Sequence, residues 1–495
     1  MVLLYVYALK TMNKKIWTGC LAGWLCLLAS CTPTEPTADI VLDEIPTIFP
    51  DYVGVTIPCN VAPMRFMLEE PDVEAATAVI GTGKKQLIVK AKDENAFLIP
   101  EKDWKSLMSS VQGDSLPVKI YTRKDGTWKS YQPFYWHVSN TEVDPYLVYR
   151  LIAPGYVLWH RMGIYQRNLT SFVEEAVLTN DQTGYNCMNC HSFNNRKPDR
   201  MLFHMREKFA GTYVTSPQRV DKLETVLVGG KPQSLVYPSW HPSGRYVAFS
   251  INQTRQAFHM NDRNRVEVLD LSSDVVVYDL ERGQLLTDSL LMSPKAFETF
   301  PAFSPDGKTL YFCSAASKEM PRDFDQVKYN LCAVSFDEST GQVGHRVDTL
   351  YNSRTEHGSV SFPRISPDGR FLTFTVSGYG NFSIWHKDAD LWLMDLKENK
   401  SENMSAANSD DVESYHSWSS NGRWMVFSSR RLDGLYTHPY LVYVDKEGKC
   451  GKPFVIPQAH PSFYRNLMYS FNIPELVTGK VKLDKKELQK FLQQE

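Results

Sequence analysis

Short runs in which apolar and polar residues alternate recur through the C-terminal half of the chain, separated by turns that contain glycine. Alternation with a period of two is the pattern of a β-strand with one buried face. In four segments a short strand ends in a turn of the Ser-Pro-Asp-Gly type, whose glycine supplies a positive φ, and a second apolar strand follows. Each segment predicts a β-hairpin, and the four are residues 237–250, 300–313, 362–375 and 415–428.

These hairpins form an internal repeat, because successive segments begin 63, 62 and 53 residues apart. Further strand-like runs, such as residues 274–280 and 390–396, complete four-stranded units, which at this period are typical of propeller blades. The Phe-Pro and Ser-Pro-Asp-Gly elements resemble the repeats of TolB-like propellers over about residues 200–460. The resemblance implies an all-β fold with a C-terminal β-propeller, although Tyr415-His416 and the turn that follows depart from the pattern.

The repeat extends upstream of the four hairpins. Residues 185–193, 201–205, 211–215 and 222–228 fit the same four-stranded unit. Residues 163–178 are expected to form the outer strands of one more blade, whose inner strands come from residues 464–475 and close the ring. This assignment predicts six blades within residues 141–475, or five if the upstream run belongs elsewhere.

The repeat is absent from the N-terminal region. Residues 41–140 contain strand-like runs and one helix-like stretch near residues 102–111, which predicts a β-sandwich-like domain. The chain ends in a tail, residues 476–495, with a polar helix expected near residues 484–494.

The run Cys187-Met188-Asn189-Cys190-His191 carries the candidate chemistry. Cys-x-x-Cys-His is the spacing at which two thiols bind haem covalently and the following imidazole ligates the iron. The alternatives are a redox dithiol, which would need a βαβ context, and half of a zinc site, which would need a second ligand pair. Neither context follows within the next fifty residues, so we expect one covalent haem c with His191 as its axial ligand.

The sixth ligand would decide the chemistry of such a haem. Alternation places Met201, Phe203 and Met205 on one face of a strand, and Leu202 and His204 on the other. His204 is the first candidate for the sixth ligand, with Met201 and Met205 as alternatives, and the position could also stay open. Three further histidines could face the propeller channel but are more often structural: His160, His241 and His416.

The N-terminus predicts export. Met12-Asn13-Lys14-Lys15 is followed by an apolar run of thirteen residues, 16–28, shorter than the roughly twenty that span a bilayer. Leu28-Ala29-Ser30-Cys31 resembles the lipobox of bacterial lipoproteins, which implies a signal peptide at residues 1–30, lipidation of Cys31 and a tether at residues 31–40. No acidic residue follows Cys31 directly, so we expect an outer-membrane lipoprotein that faces the periplasm.

Composition narrows the possible functions. Lys plus Arg number 54 and Asp plus Glu 56, which gives a formal net charge of −2. This balance does not indicate the basic surface that nucleic-acid binding requires. No Gly-x-Ser-x-Gly elbow appears and no α/β domain follows the repeats, so a hydrolase is not expected. We therefore expect electron transfer or redox sensing with an unidentified redox partner. The alternative is a TolB-like scaffold that binds an envelope protein, with a structural haem or none.

The lipid anchor can be tested directly. Cys31→Ala removes the acylation site, and acyl chains contribute about 0.8 kcal/mol of anchoring free energy per buried CH₂ group. We expect the variant to move from the membrane fraction to the soluble fraction of lysed cells, whereas Cys59→Ala stays with the membranes. Retention of the Cys31 variant in the membrane fraction would contradict lipidation.

Overall fold

The computed structural model describes residues 34–153, 162–227, 230, 233–262, 264–356 and 358–494. The expected signal peptide, Cys31 and His160 lie outside these residues. Glu35–Glu495 form one compact unit, to which the following description applies. Within the described residues no helix is both long and apolar enough to span a membrane.

The N-terminal part consists of two sheets and a helix, as expected for a sandwich-like domain. The strands are β1 (Ile40–Val41), β2 (Ile48–Phe49), β3 (Thr56–Ile57), β4 (Phe66–Leu68), β5 (Ala75–Thr82), β6 (Lys85–Lys90), β7 (Ala96–Phe97), β8 (Ser115–Lys124), β9 (Thr127–Ser130) and β10 (Phe134–Val138). One sheet has the order β1-β9-β8-β10-β3, with β5 pairing β8 and β6, and the other the order β2-β4-β7. Helix α1 (Glu101–Met108) buries Trp104, whose ring meets that of Trp136 at 5.7 Å edge to face.

Six four-stranded antiparallel sheets follow, which confirms the all-β propeller in its six-bladed form. Blade 1 contains β11 (Tyr146–Ile152), β12 (Gly163–Asn168) and β13 (Glu174–Thr179), and blade 2 contains β14 (Met188–Phe193), β15 (Met201–Met205), β16 (Gly211–Ser216) and β17 (Arg219–Lys222). Blade 3 contains β18 (Leu235–Trp240), β19 (Tyr246–Phe258), β20 (Val266–Asp279) and β21 (Gln284–Leu286). Blade 4 contains β22 (Ala296–Phe303), β23 (Thr309–Ala316), β24 (Asn330–Asp337) and β25 (Gln342–Tyr351).

The last two blades and the C-terminus complete the ring. Blade 5 contains β26 (Ser359–Ile365), β27 (Phe371–Ser377), β28 (Asp390–Asp395) and β29 (Lys400–Asn403), and blade 6 contains β30 (Glu413–Trp418), β31 (Trp424–Ser429), β32 (His438–Tyr443) and β33 (Phe454–Val455). Helix α2 (Phe463–Asn466), strand β34 (Ser470–Val477) and helix α3 (Lys485–Gln494) follow. Strand β34 pairs antiparallel with β11 and becomes the innermost strand of blade 1. N-terminal and C-terminal strands thereby close the propeller in one sheet.

Two details of the predicted blades were wrong. Only one inner strand of blade 1 comes from the C-terminus, because residues 463–466 are helical and β11 supplies the second strand. In blade 2 the fourth strand is Arg219–Lys222 rather than residues 222–228, because a two-residue turn at Pro217-Gln218 brings the chain back at once.

The inner strands share a β-bulge that determines the geometry of the channel. The pairing register shifts once between each inner strand and its neighbour. At each shift one non-glycine residue has a φ of 50° to 52°, in the left-handed region, and these bulge residues are Cys190, Tyr237, Phe300, Phe362, Tyr415 and Ile473. Bulges re-aim side chains where a ladder is interrupted, and here they do so at the same point of every blade.

Candidate functional site

The six bulge residues close the middle of the channel. Tyr237 contacts Phe300 at 4.5 Å between ring centroids, Phe300 contacts Phe362 at 4.1 Å, and Phe362 contacts Tyr415 at 4.8 Å. Cys190 of blade 2 and Ile473 of blade 1 hold the same position in the remaining blades. We name these six residues the channel plug, and it separates the two ends of the channel.

A cavity of about 350 Å³ lies between the channel plug and the turns that join the first and second strands of the blades. Its wall is formed by the residue two positions after each bulge residue, one from each blade. We name this set the wall ring, and it consists of Ser192, Ser239, Ala302, Arg364, Ser417 and Glu475. Four aromatic side chains, one further position along, enclose the cavity with them: Phe193, Trp240, Phe303 and Trp418.

Small wall-ring residues join neighbouring blades. Ser239 Oγ accepts a hydrogen bond from the backbone N–H of Phe303 at 3.0 Å, and Ser417 Oγ accepts one from Leu476 at 3.3 Å. Glu475 serves the same purpose, since its Oε1 accepts from the N–H of Phe193 at 3.3 Å. Three of the six wall-ring side chains therefore accept a hydrogen bond from the next blade.

Arg364 and Glu475 are the two charged residues of the wall ring. Burial lowers the pKa of Arg364, and its Nη1 donates to the carbonyl of Pro363 at 2.8 Å. Burial also raises the pKa of Glu475 to about 7, against the hydrogen bond from Phe193 and the positive charges of Arg364 and Arg196. Among the described residues Arg364 makes no ion pair, so its guanidinium has donors to spare beside the cavity.

His191 and His416 occupy one repeat position, directly after the bulge residue, where the other four blades have proline. Each is 2% exposed and borders the cavity, and no ring nitrogen makes a hydrogen bond of ordinary geometry with the described residues. Backbone groups of Val148 and Ile473 near His191, and of Thr373 near His416, nevertheless act to raise the pKa of each imidazole. Burial lowers the pKa of His191 to about 4, with a contribution from Arg150, and that of His416 to about 3, with one from Arg364. An unpartnered buried imidazole is therefore a property of this repeat position and is not confined to the Cys-x-x-Cys-His run.

The two cysteines of that run lie in different surroundings. Cys190 is 2% exposed within the channel plug, and burial raises the pKa of its thiol. Cys187 is half-buried against the apolar cluster around Met188 and is not among the residues that line the cavity. Both thiols are free, so the donor set fits covalent haem chemically, with Cys190 and His191 at the cavity and Cys187 outside it.

The expected sixth ligands lie elsewhere. His204 is buried between blades 2 and 3, where its Nδ1 contacts Thr212 Oγ1 and its Nε2 contacts Ser234 Oγ, both at 3.0 Å. Met201 and Met205 pack on the opposite face of β15, as alternation predicts, in the cluster with Met188. The structure does not bring any of these three side chains to the cavity. In the described part of the chain no three His, Cys, Asp or Glu side chains are grouped to hold a metal ion.

His241 has a structural role. Its Nδ1 lies 2.7 Å from Ser243 Oγ and its Nε2 3.1 Å from the carbonyl of Gly307, so it joins the turns of blades 3 and 4. Sequence reasoning overlooked Arg364 and Glu475. Alignment of the six inner strands on their bulge residues would have shown that the wall-ring position is serine or alanine in four blades and charged in two.

Comparison with known proteins assigns no activity to this chain. No family model matches the chain. Dipeptidyl-peptidase 5 of Porphyromonas gingivalis is 27% identical over 149 residues, which are 30% of this chain and 18% of that protein. A puromycin hydrolase structure matches with a TM-score of 0.39 and 14% identity, over 64% of this chain and 53% of that one.

The propeller domain of the Trilobed protease from Pyrococcus furiosus gives a TM-score of 0.33 and 9% identity, over 69% of this chain and 82% of that one. The chain spans 18% of the curated relative and about half of the puromycin hydrolase. The six four-stranded sheets themselves define the fold.

The buried histidines predict a loss of stability in acid. Unfolded His416 binds a proton near pH 6.5 and folded His416 only near pH 3, so unfolding takes up a proton between these values and the free energy of unfolding falls as the pH drops. Four other blades have proline at this position. His416→Pro should therefore reduce the fall in the free energy of unfolding between pH 7 and pH 4 by up to about 3 kcal/mol.

Urea denaturation at several pH values measures this slope. His191→Pro should remove a smaller part of the loss, because the pKa of His191 is lowered only to about 4. Identical slopes for the wild type and both variants would contradict the burial of neutral imidazoles.

Proposed function

We propose that this propeller binds the end of an extended peptide, or a small molecule of similar width, in the cavity bounded by the wall ring. The observation that carries the proposal is that all six blades contribute to one cavity, closed on one side by the channel plug. Its volume of about 350 Å³ lies within the range of ligand pockets, which are mostly apolar with a few placed polar groups.

The lining supports this form of binding. Four aromatic side chains supply apolar surface, and wall-ring hydroxyls and charges supply polar groups at a single level. A folded domain is too wide for such a cavity, whereas a chain end or side chain fits. This proposal belongs to the scaffold class, in which an envelope protein presents a peptide segment to the channel.

Filling the cavity should abolish binding. Ala302→Phe places a phenyl ring on the wall ring, at a position that makes no side-chain hydrogen bond. Ala316→Phe adds the same ring to an exposed position of β23 in the same blade. Isothermal titration calorimetry with N-acetyl dipeptides ending in Ala, Leu, Phe or Glu, as acids and as amides, should give saturable binding to the wild type and to Ala316→Phe only. Absence of saturation with the wild type, or equal binding by Ala302→Phe, would rule the proposal out.

A second proposal is that the protein carries one covalent haem c at Cys187 and Cys190, with His191 as axial ligand, and is tethered to the outer membrane by Cys31. Two free thiols and a buried imidazole that makes no hydrogen bond of ordinary geometry support it. When bound, the haem would supply one-electron redox chemistry for electron transfer or sensing. Among the described residues at the cavity, His416 could approach the haem next to His191. Both ring nitrogens of His204 already have partners.

Cysteine and histidine variants test the covalent attachment of haem. Protein made with a haem-attachment system should stain for haem after denaturing electrophoresis, and Cys187→Ala with Cys190→Ala should abolish the stain, whereas Cys450→Ala should not. His191→Ala should change the reduced-minus-oxidised spectrum of the stained protein by removing the axial ligand. A stain that survives the double cysteine variant, or no stain in the wild type, would refute covalent haem.

A further inference from the structure

We infer that the wall-ring cavity selects ligands that carry a carboxylate, which the guanidinium of Arg364 binds. The inference rests on the proposed peptide-end binding and adds the chemical class of the ligand. It predicts that the free carboxylate end of a peptide, or an organic acid of similar size, enters the cavity in preference to its neutral counterpart.

The first argument comes from the repeat. The wall-ring position is Ser192, Ser239, Ala302 and Ser417 in four blades, so a small residue satisfies the fold there. Two of those serines accept a hydrogen bond from the following blade, and Glu475 still accepts the equivalent bond from Phe193. Arg364 has no acceptor atom in its side chain, so it cannot take over this structural role. A long cation therefore stands where the fold needs only a hydroxyl or a methyl group.

The second argument is that the charge of Arg364, a partly buried residue, has no ion-pair partner among the described residues. An arginine removed from water is costly unless a carboxylate or several acceptors compensate for the lost hydration. The guanidinium of Arg364 has one acceptor, the carbonyl of the adjacent Pro363, and forms no ion pair in the described part of the chain. Its planar fork matches a carboxylate in a bidentate arrangement. Glu475 acts on Arg364 through space without forming an ion pair, so a ligand carboxylate would supply a directly bonded counter-charge.

The net charge of the cavity favours an anion as well. The charged groups that border it are Arg364 on β26, Arg196 after β14 and Glu475 on β34. The other titratable groups there are the buried His191 and His416, together with Cys190, Tyr237 and Tyr415, whose pKa values burial raises. Both histidines are neutral at pH 7, since burial lowers the pKa of each to about 4 or below. Arg196 Nε donates to the carbonyl of Trp418 at 2.8 Å and keeps its charge. Two cations therefore face one carboxyl group whose own ionisation is disfavoured by burial.

Glu475 sets the pH range of this selectivity. A ligand carboxylate placed beside Glu475 favours the protonated form of that side chain, so binding takes up a proton and weakens as the pH rises through about 7. Protonated Glu475 could also donate a hydrogen bond to the ligand. Glu475→Gln keeps the acceptor for Phe193 and removes the titration.

The test compares acids with amides. Isothermal titration calorimetry with N-acetyl-Ala-Phe and N-acetyl-Ala-Phe amide should give about 10- to 100-fold tighter binding of the acid to the wild type, as expected for charge-assisted bidentate hydrogen bonds. Arg364→Ser installs the residue of three other blades and should reduce the ratio of acid to amide affinity to about twofold. Arg354→Ser, which removes an exposed arginine elsewhere in the described surface, controls for net charge and should keep the preference.

The outcomes distinguish the carboxylate inference from the proposed peptide-end binding on which it rests. Equal binding of acid and amide to the wild type, or an unchanged preference in Arg364→Ser, would overturn the carboxylate inference and leave peptide-end binding intact. Failure of both forms to bind would overturn both.

A pH series from 6 to 8 completes the test. The acid should bind more weakly to the wild type as the pH rises, whereas Glu475→Gln should show no such trend. An acid preference that grows above pH 7 would contradict the placement of the ligand carboxylate beside Glu475.

Discussion

The left-handed backbone conformation at one point of every inner strand is the constraint on which the channel depends. Non-glycine residues occupy this region at a cost of about 1–2 kcal/mol each, and Ile473 is β-branched, for which the conformation is a true outlier. This conformational cost is tolerated because the bulge turns one side chain of each blade toward the axis. There the aromatic residues of the channel plug pack edge to face. The bulge also explains proline at the next position, since proline, which donates no hydrogen bond to the ladder, is tolerated at bulges. The channel plug and the wall ring are both consequences of this local geometry.

The same geometry changes the meaning of the Cys-x-x-Cys-His run. Cys190-His191-Ser192-Phe193 occupies the repeat position of Tyr415-His416-Ser417-Trp418, residue for residue. The imidazole and its unpartnered nitrogens are thus explained by the repeat as well as by a haem, because His416 has both features without neighbouring cysteines. What the repeat does not explain is a pair of cysteines at this spacing. The thiols, rather than the histidine, carry the argument for haem.

Much of the fold could be predicted from the sequence because the repeat is local. A turn glycine and two alternating strands specify each hairpin within about fourteen residues, and the extension of the repeat to residues 185–215 correctly placed the cysteines inside a blade. The closure of blade 1 was predicted only in part, since the pairing of β34 with β11 joins residues more than 300 apart and no local pattern encodes it. The site was harder to predict for the same reason. Arg364 and Glu475 are unremarkable in their own segments and become a pair only when six inner strands surround one axis.

The two proposed functions use the same cavity, so each limits the other. Cys190 and His191 form part of the wall on the side of blade 2, and Arg364 and Glu475 belong to blades 5 and 1. With about 350 Å³ available, a group attached at Cys190 and ligated by His191 on the cavity side would displace a peptide end from the aromatic surface between Trp240 and Trp418. In the first proposal the channel end is open to a ligand, whose carboxylate Arg364 would hold, and in the second proposal the haem would fill that end.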